Sequence, residues 1–321
     1  MEHINRFGKK RVLIIAIILF TLTTLAYLIA FEFVSLAIIR FIHGVSFAFL
    51  TTVTGAIAAD IVPAARRGEG MGYFAMSMNI AVVIGPFMGL LLLQYISFTS
   101  LFIVLSSLMA ISLIFALMVN TQEQDLPAEV VKTTLSLDDL IDRKSLPVTV
   151  ISGMVGISYG SILSFVPVYA EEINLAKVAS YFFLVFAIVM IVFRPYLGRA
   201  FDERGPRIVL VPSLFVFALG LGLLSVTNTA TVFLLAAAII GLGYGTILPG
   251  FQTIAVERAG PKRTSQAMST FFTMYDLGIG TGAFMWGLIS SHYSFEMMYM
   301  ISALLVVFTA ILFNSYLRRQ K

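Results

Sequence analysis

Apolar residues run through this chain in ten long blocks separated by short polar punctuation. A bilayer core takes about 20 apolar residues per helix, and the blocks fall at 12–31, 34–58, 71–94, 98–119, 148–170, 178–197, 208–226, 230–256, 265–289 and 295–317. The pattern predicts an all-α polytopic membrane protein with about ten transmembrane helices. The first block is of full spanning length and lacks an A-x-A-like end, so it reads as a true span and not as a cleaved leader. One polar stretch is long. It divides the chain into an N-terminal bundle of four spans (1–119), a linker (120–147) and a C-terminal bundle of six (148–321). In the linker Leu135, Leu137, Leu140 and Ile141 stand at roughly helical spacing, which suits either an interfacial amphipathic helix or a solvated connection carrying the free acidic charge of Glu123, Asp125, Glu129, Asp138, Asp139 and Asp142.

Composition agrees with the pattern. Hydrophobic residues make up 59% and charged residues 12% of the 321, with a mean hydropathy of +0.96. A soluble domain carries about a quarter charged residues, so this chain has too few to clothe a water-soluble globule. Zero cysteines exclude thiolate metal sites, Fe–S clusters and disulfides. The net charge of +4 raises the question of nucleic acid, and the placement of the 21 basic residues answers it. Eighteen lie at the termini or in alternate loops, Lys177 stands alone in the opposite loops, and Arg40 and Arg194 lie within spans. This is the positive-inside signature and predicts both termini in the cytoplasm, with a multi-pass plasma-membrane location and no nucleic-acid face.

Slid against itself by 197 residues without gaps, the chain matches weakly but in register over four spans. Gly8 falls on Gly205, Lys10 on Arg207, Gly44 on Gly241, Asp60 on Glu257, Arg66 on Arg263, Gly85 on Gly282, and Phe87-Met88 on Phe284-Met285. The two copies run in the same orientation, a parallel repeat about an axis normal to the membrane. The second copy is preceded by two spans that have no counterpart before Met1, so the symmetry predicts two missing N-terminal helices and a chain that is a fragment or has a late start.

Six plus six spans in parallel repeat resemble the major facilitator superfamily, and short motifs sharpen the resemblance. The family carries G-x-x-x-D-R-x-G-R/K-R/K at a cytoplasmic turn; here Met1 and Asn5 stand at the Gly and Asp positions, while Arg6, Gly8, Lys9 and Lys10 match. The copy at 198–207 keeps Gly198, Asp202, Gly205 and Arg207. Glycines permit a tight turn and close helix approach, a carboxylate can cap a helix N-terminus, and the resemblance implies a gating latch for these residues. Arg40 with Gly44 is similar to the family's R-x-x-x-G pattern, which implies proton coupling for Arg40; snorkelling to the outer surface is the alternative, since a buried arginine is costly without water or a partner. His43, on a neighbouring face, can titrate near neutrality. Gly85, Pro86 and Gly89 resemble the G-P-x-x-G core of an antiporter signature, with a proline kink between small faces.

Asp276 sits about 16 Å into its span at 1.5 Å per residue. An ionisable group at that depth is a functional hypothesis by default, here a proton carrier; its repeat mate is Asn79, so the charge is not common to both copies. Gln252, beside Pro249 and Gly250 that can break the helix, and Tyr169, Phe165, Tyr244 and Tyr275 are the further candidates for a substrate cavity, with His43. No metalloprotease, serine-hydrolase or phosphate-loop motif occurs, and His3, His43 and His292 are too scattered for a metal site. The expectation is therefore no enzyme, no cofactor and no metal. What remains is a monomeric secondary transporter whose partners are a small-molecule substrate, protons and the bilayer. By resemblance to the drug:proton antiporters it exports small amphipathic compounds. Carriage of a polar solute or metal chelator, and a non-transporting fragment, are the other readings.

Overall fold

The computed structural model describes residues 8–63, 67–119, 141–260 and 263–319. Every long element among them is a helix. A backbone in lipid must satisfy its own N–H and C=O groups, and a helix does so within one segment. The ten are α1 (Lys9–Ala26), α2 (Phe33–Ile61), α3 (Arg67–Leu93), α4 (Phe98–Met118), α5 (Leu146–Glu172), α6 (Ala179–Arg204), α7 (Pro206–Ser225), α8 (Ala230–Ala259), α9 (Thr264–His292) and α10 (Phe295–Arg318), with a short 3-10 turn at Ala176–Val178. They fall into two compact units, residues 1–133 and 134–321. In the first, α1 packs against α2 and α4 around Leu13, Ile17, Val53, Ile57 and Ala116. In the second, α7 packs between α8 and α10 while α5 lies along α9.

The repeat is visible in where the helices begin. The starts of α1 and α7, α2 and α8, α3 and α9, and α4 and α10 lie 197 residues apart in every case (9/206, 33/230, 67/264, 98/295). The caps repeat with them. Gly8 and Gly205 precede α1 and α7 with φ of +81° and +84°, a region that other residues enter only with strain. Ser97 and Ser294 each accept a hydrogen bond from the backbone N–H three residues on, at 3.1 and 3.2 Å, the usual way of filling an orphan donor at a helix start.

Seven helices, α2, α4, α5, α6, α7, α8 and α10, are long and apolar enough to cross a bilayer by length and composition. Among the described residues α1 and α9 fall short of that measure. In α1 the cause is Lys9, Lys10 and Arg11 in an 18-residue helix. α9 is lowered by its polar residues, Ser269, Thr270, Thr273 and Asp276 among them. Two boundaries also differ from the hydropathy reading. The first span turns at Tyr27, where Leu28 and Ile29 donate to carbonyls three residues back, although the sequence stays apolar to Phe31; hydropathy reports burial in lipid, not helicity. Conversely α6 runs seven residues past its apolar stretch, from 197 to Arg204, because the polar end still closes its backbone bonds until Gly205 stops it. Pro249 does not break α8, which is continuous over 30 residues.

Candidate functional site

The position of Asp276 follows from the way α9 packs. Gly153, Gly156 and Gly160 of α5 meet Gly278 and Gly282 of α9, and there is no room for side chains between the two backbones. A Cβ on Gly156 would lie 2.5 Å from the Tyr275 carbonyl oxygen, and one on Gly160 2.8 Å from that of Ile279. Trp286 locks the same seam, its Nε1 donating to the Ile157 carbonyl at 2.7 Å. Phe271, Tyr275 and Trp286 are thereby turned into the bundle. The opposite face carries Ser269, Thr273, Asp276 and Gly280, all exposed from the unit. Asp276 lies 12 residues into a 29-residue helix, about 18 Å along its axis. Among the described residues it has no hydrogen-bond or ion-pair partner.

Behind Asp276 stands an aromatic cluster. The Tyr244 and Tyr275 hydroxyls are hydrogen-bonded to each other, Tyr159 stacks on Tyr244 with centroids 4.3 Å apart, and Phe186 and Phe217 close around it. These tyrosines are core residues of the unit, only 5–6% exposed. Gln252 is half-buried on α8, about 12 Å along the axis from Tyr244. Phe165 and Tyr169 lie toward the far end of α5. Phe165 packs beside Gly287, and buried Tyr169 donates to the Thr227 carbonyl at 3.4 Å and packs against Tyr299 and Phe295. The structure thus brings Tyr244 and Tyr275 together next to Asp276 in the chain and leaves Phe165, beside Gly287, about 16 Å away along the helices and Tyr169 a further turn beyond.

The first unit holds a second polar constellation. Arg40 Nη1 lies 3.4 Å from the Tyr27 hydroxyl, which lies 3.5 Å from His43 Nδ1. His43 Nε2 lies 3.3 Å from Thr24 Oγ1, and the Phe20 ring covers the imidazole at 4.1 Å. Arg40 and His43, on adjacent faces of α2, are joined through Tyr27. Tyr27 and Thr24 come from the end of α1, and no local sequence signal pairs them with α2. The repeat supplies a comparison within one chain: at +197, Thr24, Tyr27, Arg40 and His43 become Leu221, Leu224, Ala237 and Ile240, all at 0% exposure. The same fold position is filled by plain apolar core in the second unit. The polar set is therefore not a requirement of the helical scaffold.

The end of the expected linker is ordered against the second unit. Asp142, read from sequence as free acidic charge, is 2% exposed and paired with Arg263 at 2.9 Å. Its carboxylate accepts from the Ser145 amide at 2.8 Å, Arg263 also donates to the Ile141 carbonyl, and the Asp142 amide donates to Thr270 Oγ1 at 2.9 Å. The start of α5 is thereby tied to the start of α9. Burial pushes the Asp142 carboxyl up, but the Ser145 and Arg263 hydrogen bonds outweigh it and hold the group below the usual carboxylate range. A carboxyl lowered in the folded state stabilises above the ordinary value of about 4 and loses that contribution as pH falls through the folded value. Asp142→Asn should accordingly lower the melting temperature at pH 7, and the gap from the native chain should shrink as pH is taken below about 4; a gap independent of pH would deny the ion pair this role. The amphipathic pattern at Leu135–Leu140 lies outside the described residues.

The turn motif is partly placed. Arg6 lies outside the described residues, Lys9 and Lys10 open α1 behind Gly8, and Gly198 has no described atom within 4 Å of where a Cβ would stand. Asp202 is exposed and forms no ion pair among the described residues. Arg207 Nε donates to Asn314 Oδ1 at 2.8 Å, joining α7 to α10. In α3, Pro86 lies inside a continuous helix, and both Gly85 and Gly89 likewise have open space of 4 Å around a Cβ position. Backbone-to-backbone packing on glycine is seen at the α5–α9 seam.

The sequence profile of the Major Facilitator Superfamily matches residues 4–280 and, a second time, 149–321. The chain belongs to that superfamily. It is a membrane transporter and not an enzyme. Superfamily relatives include an uncharacterised MFS-type transporter of Methanocaldococcus jannaschii, 24% identical over 322 residues covering 98% of this chain and 83% of the relative. Multidrug resistance protein MdtG of Salmonella typhi is 24% identical over 327 residues, 99% of this chain and 80% of its own. Among solved superfamily structures, a D-xylose–proton symporter superposes with a TM-score of 0.73 at 15% identity over 96% of this chain and 81% of the symporter. The human organic anion transporter MFSD10 superposes with 0.70 at 13% over 97% and 78%. These last two share the fold.

Proposed function

We propose that this transporter exports small amphipathic compounds in exchange for protons, by alternating access of its two bundles, with Asp276 as the proton carrier and both termini in the cytoplasm. The observation that carries the reading is Asp276 itself: a carboxyl near mid-helix, on the exposed polar face of α9, without a partner among the described residues. An ionised carboxylate facing hydrocarbon at that depth costs several kcal/mol. The face that carries Asp276, Thr273 and Ser269 therefore suits a wet space. The low hydropathy of α9 supports the same assignment. The drug-type substrate class is supported by the likeness to MdtG. Arg40, with His43 and Tyr27, is the second polar group available to the proton cycle, placed where the other copy has only apolar core. The buried tyrosine pair behind Asp276 and the half-buried Gln252 are the aromatic and amide groups this reading assigns to the substrate cavity in the second unit, and the Gly198–Arg207 turn is the gating element.

The test is uptake of a lipophilic fluorescent dye into inverted membrane vesicles. An acid-inside gradient should drive dye inward, and an uncoupler should abolish the uptake. Dye uptake indifferent to the uncoupler, or driven only by the reversed gradient, would overturn the antiport reading.

A further inference from the structure

Two adjoining grooves open on α7, at the end of the second unit where its basic residues gather. The larger, of about 690 Å³, is lined by Arg204, Arg207, Ile208, Val211, Asn314 and Leu317. The smaller, of about 280 Å³, runs between α6, α7 and α8 past Leu197, Ala200, Val216 and Leu242. Arg204, Ile208 and Pro212 belong to both. The Ile208–Pro212 stretch is thus a ridge with an apolar channel on each side and guanidinium groups at its head.

The turn at Gly205 creates this head. Its φ of +84° folds the last residue of α6 back beside the first turn of α7, so Arg204 and Arg207 reach one mouth. The hydrogen bond from Arg207 Nε to Asn314 fixes that guanidinium. Among the described residues no carboxylate is within ion-pair distance of either arginine, despite Asp202 and Glu203 nearby in sequence. Two like charges are left uncompensated at a helix start whose amide groups also favour an anion. Below the head the wall is apolar. The exposed row of α7 continues through Ile208, Pro212, Phe215 and Leu219 without a polar side chain, a face fit only for lipid.

We propose that the paired grooves hold one anionic diacyl phospholipid, its phosphate between Arg204 and Arg207 and its acyl chains on either side of the Ile208–Pro212 ridge. A free phosphate shares the headgroup chemistry but makes no use of two apolar channels. Each arginine near an anionic lipid is worth about fivefold in affinity.

Native mass spectrometry of the purified full chain in detergent, titrated with phosphatidylglycerol or phosphatidylcholine, tests this. One phosphatidylglycerol should be retained in preference to phosphatidylcholine. Arg204→Gln should weaken it about fivefold, and Arg204→Gln with Arg207→Gln about 25-fold. Arg204 makes no contact that folding depends on among the described residues, so its single variant remains informative should the double variant fail to fold. Ile208→Trp, which fills the ridge and keeps both charges, should also displace the lipid. Lys144→Gln with Arg258→Gln, basic residues of the same end outside both grooves, should change retention less than twofold. Three results would each overturn the proposal: equal loss in the Lys144/Arg258 variant, which means a diffuse basic surface; displacement of the lipid by millimolar inorganic phosphate, which means a free-anion site; and full retention in Ile208→Trp.

Discussion

Asp276→Asn should abolish uphill transport while leaving downhill movement of the same compound intact. The substitution keeps the shape and hydrogen-bonding capacity of the side chain and removes its titration. With one proton exchanged per substrate, a gradient of two pH units allows up to about 100-fold accumulation, since each unit is worth tenfold. Without a group that binds and releases the proton, accumulation should fall to about the leak level. Because the side chain is exposed from its unit and has no partner among the described residues, the variant should fold normally, which separates a coupling defect from a stability defect. Unchanged accumulation in Asp276→Asn would remove this residue from the mechanism.

The second large effect is on stability. Gly278 and Gly280 lie two residues apart on α9 and face opposite ways. A Cβ on Gly278 would run into the Gly153 carbonyl, while one on Gly280 meets nothing within 4 Å. Glycine to alanine inside a helix gains up to about 1 kcal/mol where there is room. Forcing a methyl into a backbone-to-backbone contact costs about 2–3 kcal/mol. Gly278→Ala should therefore melt about 5–10 °C lower, and Gly280→Ala no lower than the native chain. Trp286, the single tryptophan, lies buried in this seam and reports the transition by its own fluorescence. Equal shifts in the two variants would mean that the seam is not close-packed.

Much of this fold is legible in the sequence because lipid imposes a length and a hydropathy on every span. The offset of 197, weak at any one pair of residues, reappears in four pairs of helix starts and in two pairs of caps, since a cap is local chemistry that sequence records directly. What stays hidden is long-range pairing. Asp142 looks like solvated linker charge until Arg263, 121 residues later, is folded against it, and nothing near Tyr27 announces His43. Hydropathy also misjudges the ends of α1 and α6, where helix and apolar stretch part company. Asp276 is visible as a lone carboxyl in a span, but the glycine seam that turns it outward needs both α5 and α9 in place.

Exchange of substrate and proton in opposite directions is tested most directly with purified protein in sealed liposomes. A pH-sensitive dye is trapped inside at an acid-inside gradient, and internal pH is followed when substrate is added outside. Substrate addition should alkalinise the lumen with the native chain and leave it unchanged with Asp276→Asn. Acidification of the lumen on substrate addition, or an unchanged internal pH while substrate still enters, would contradict antiport.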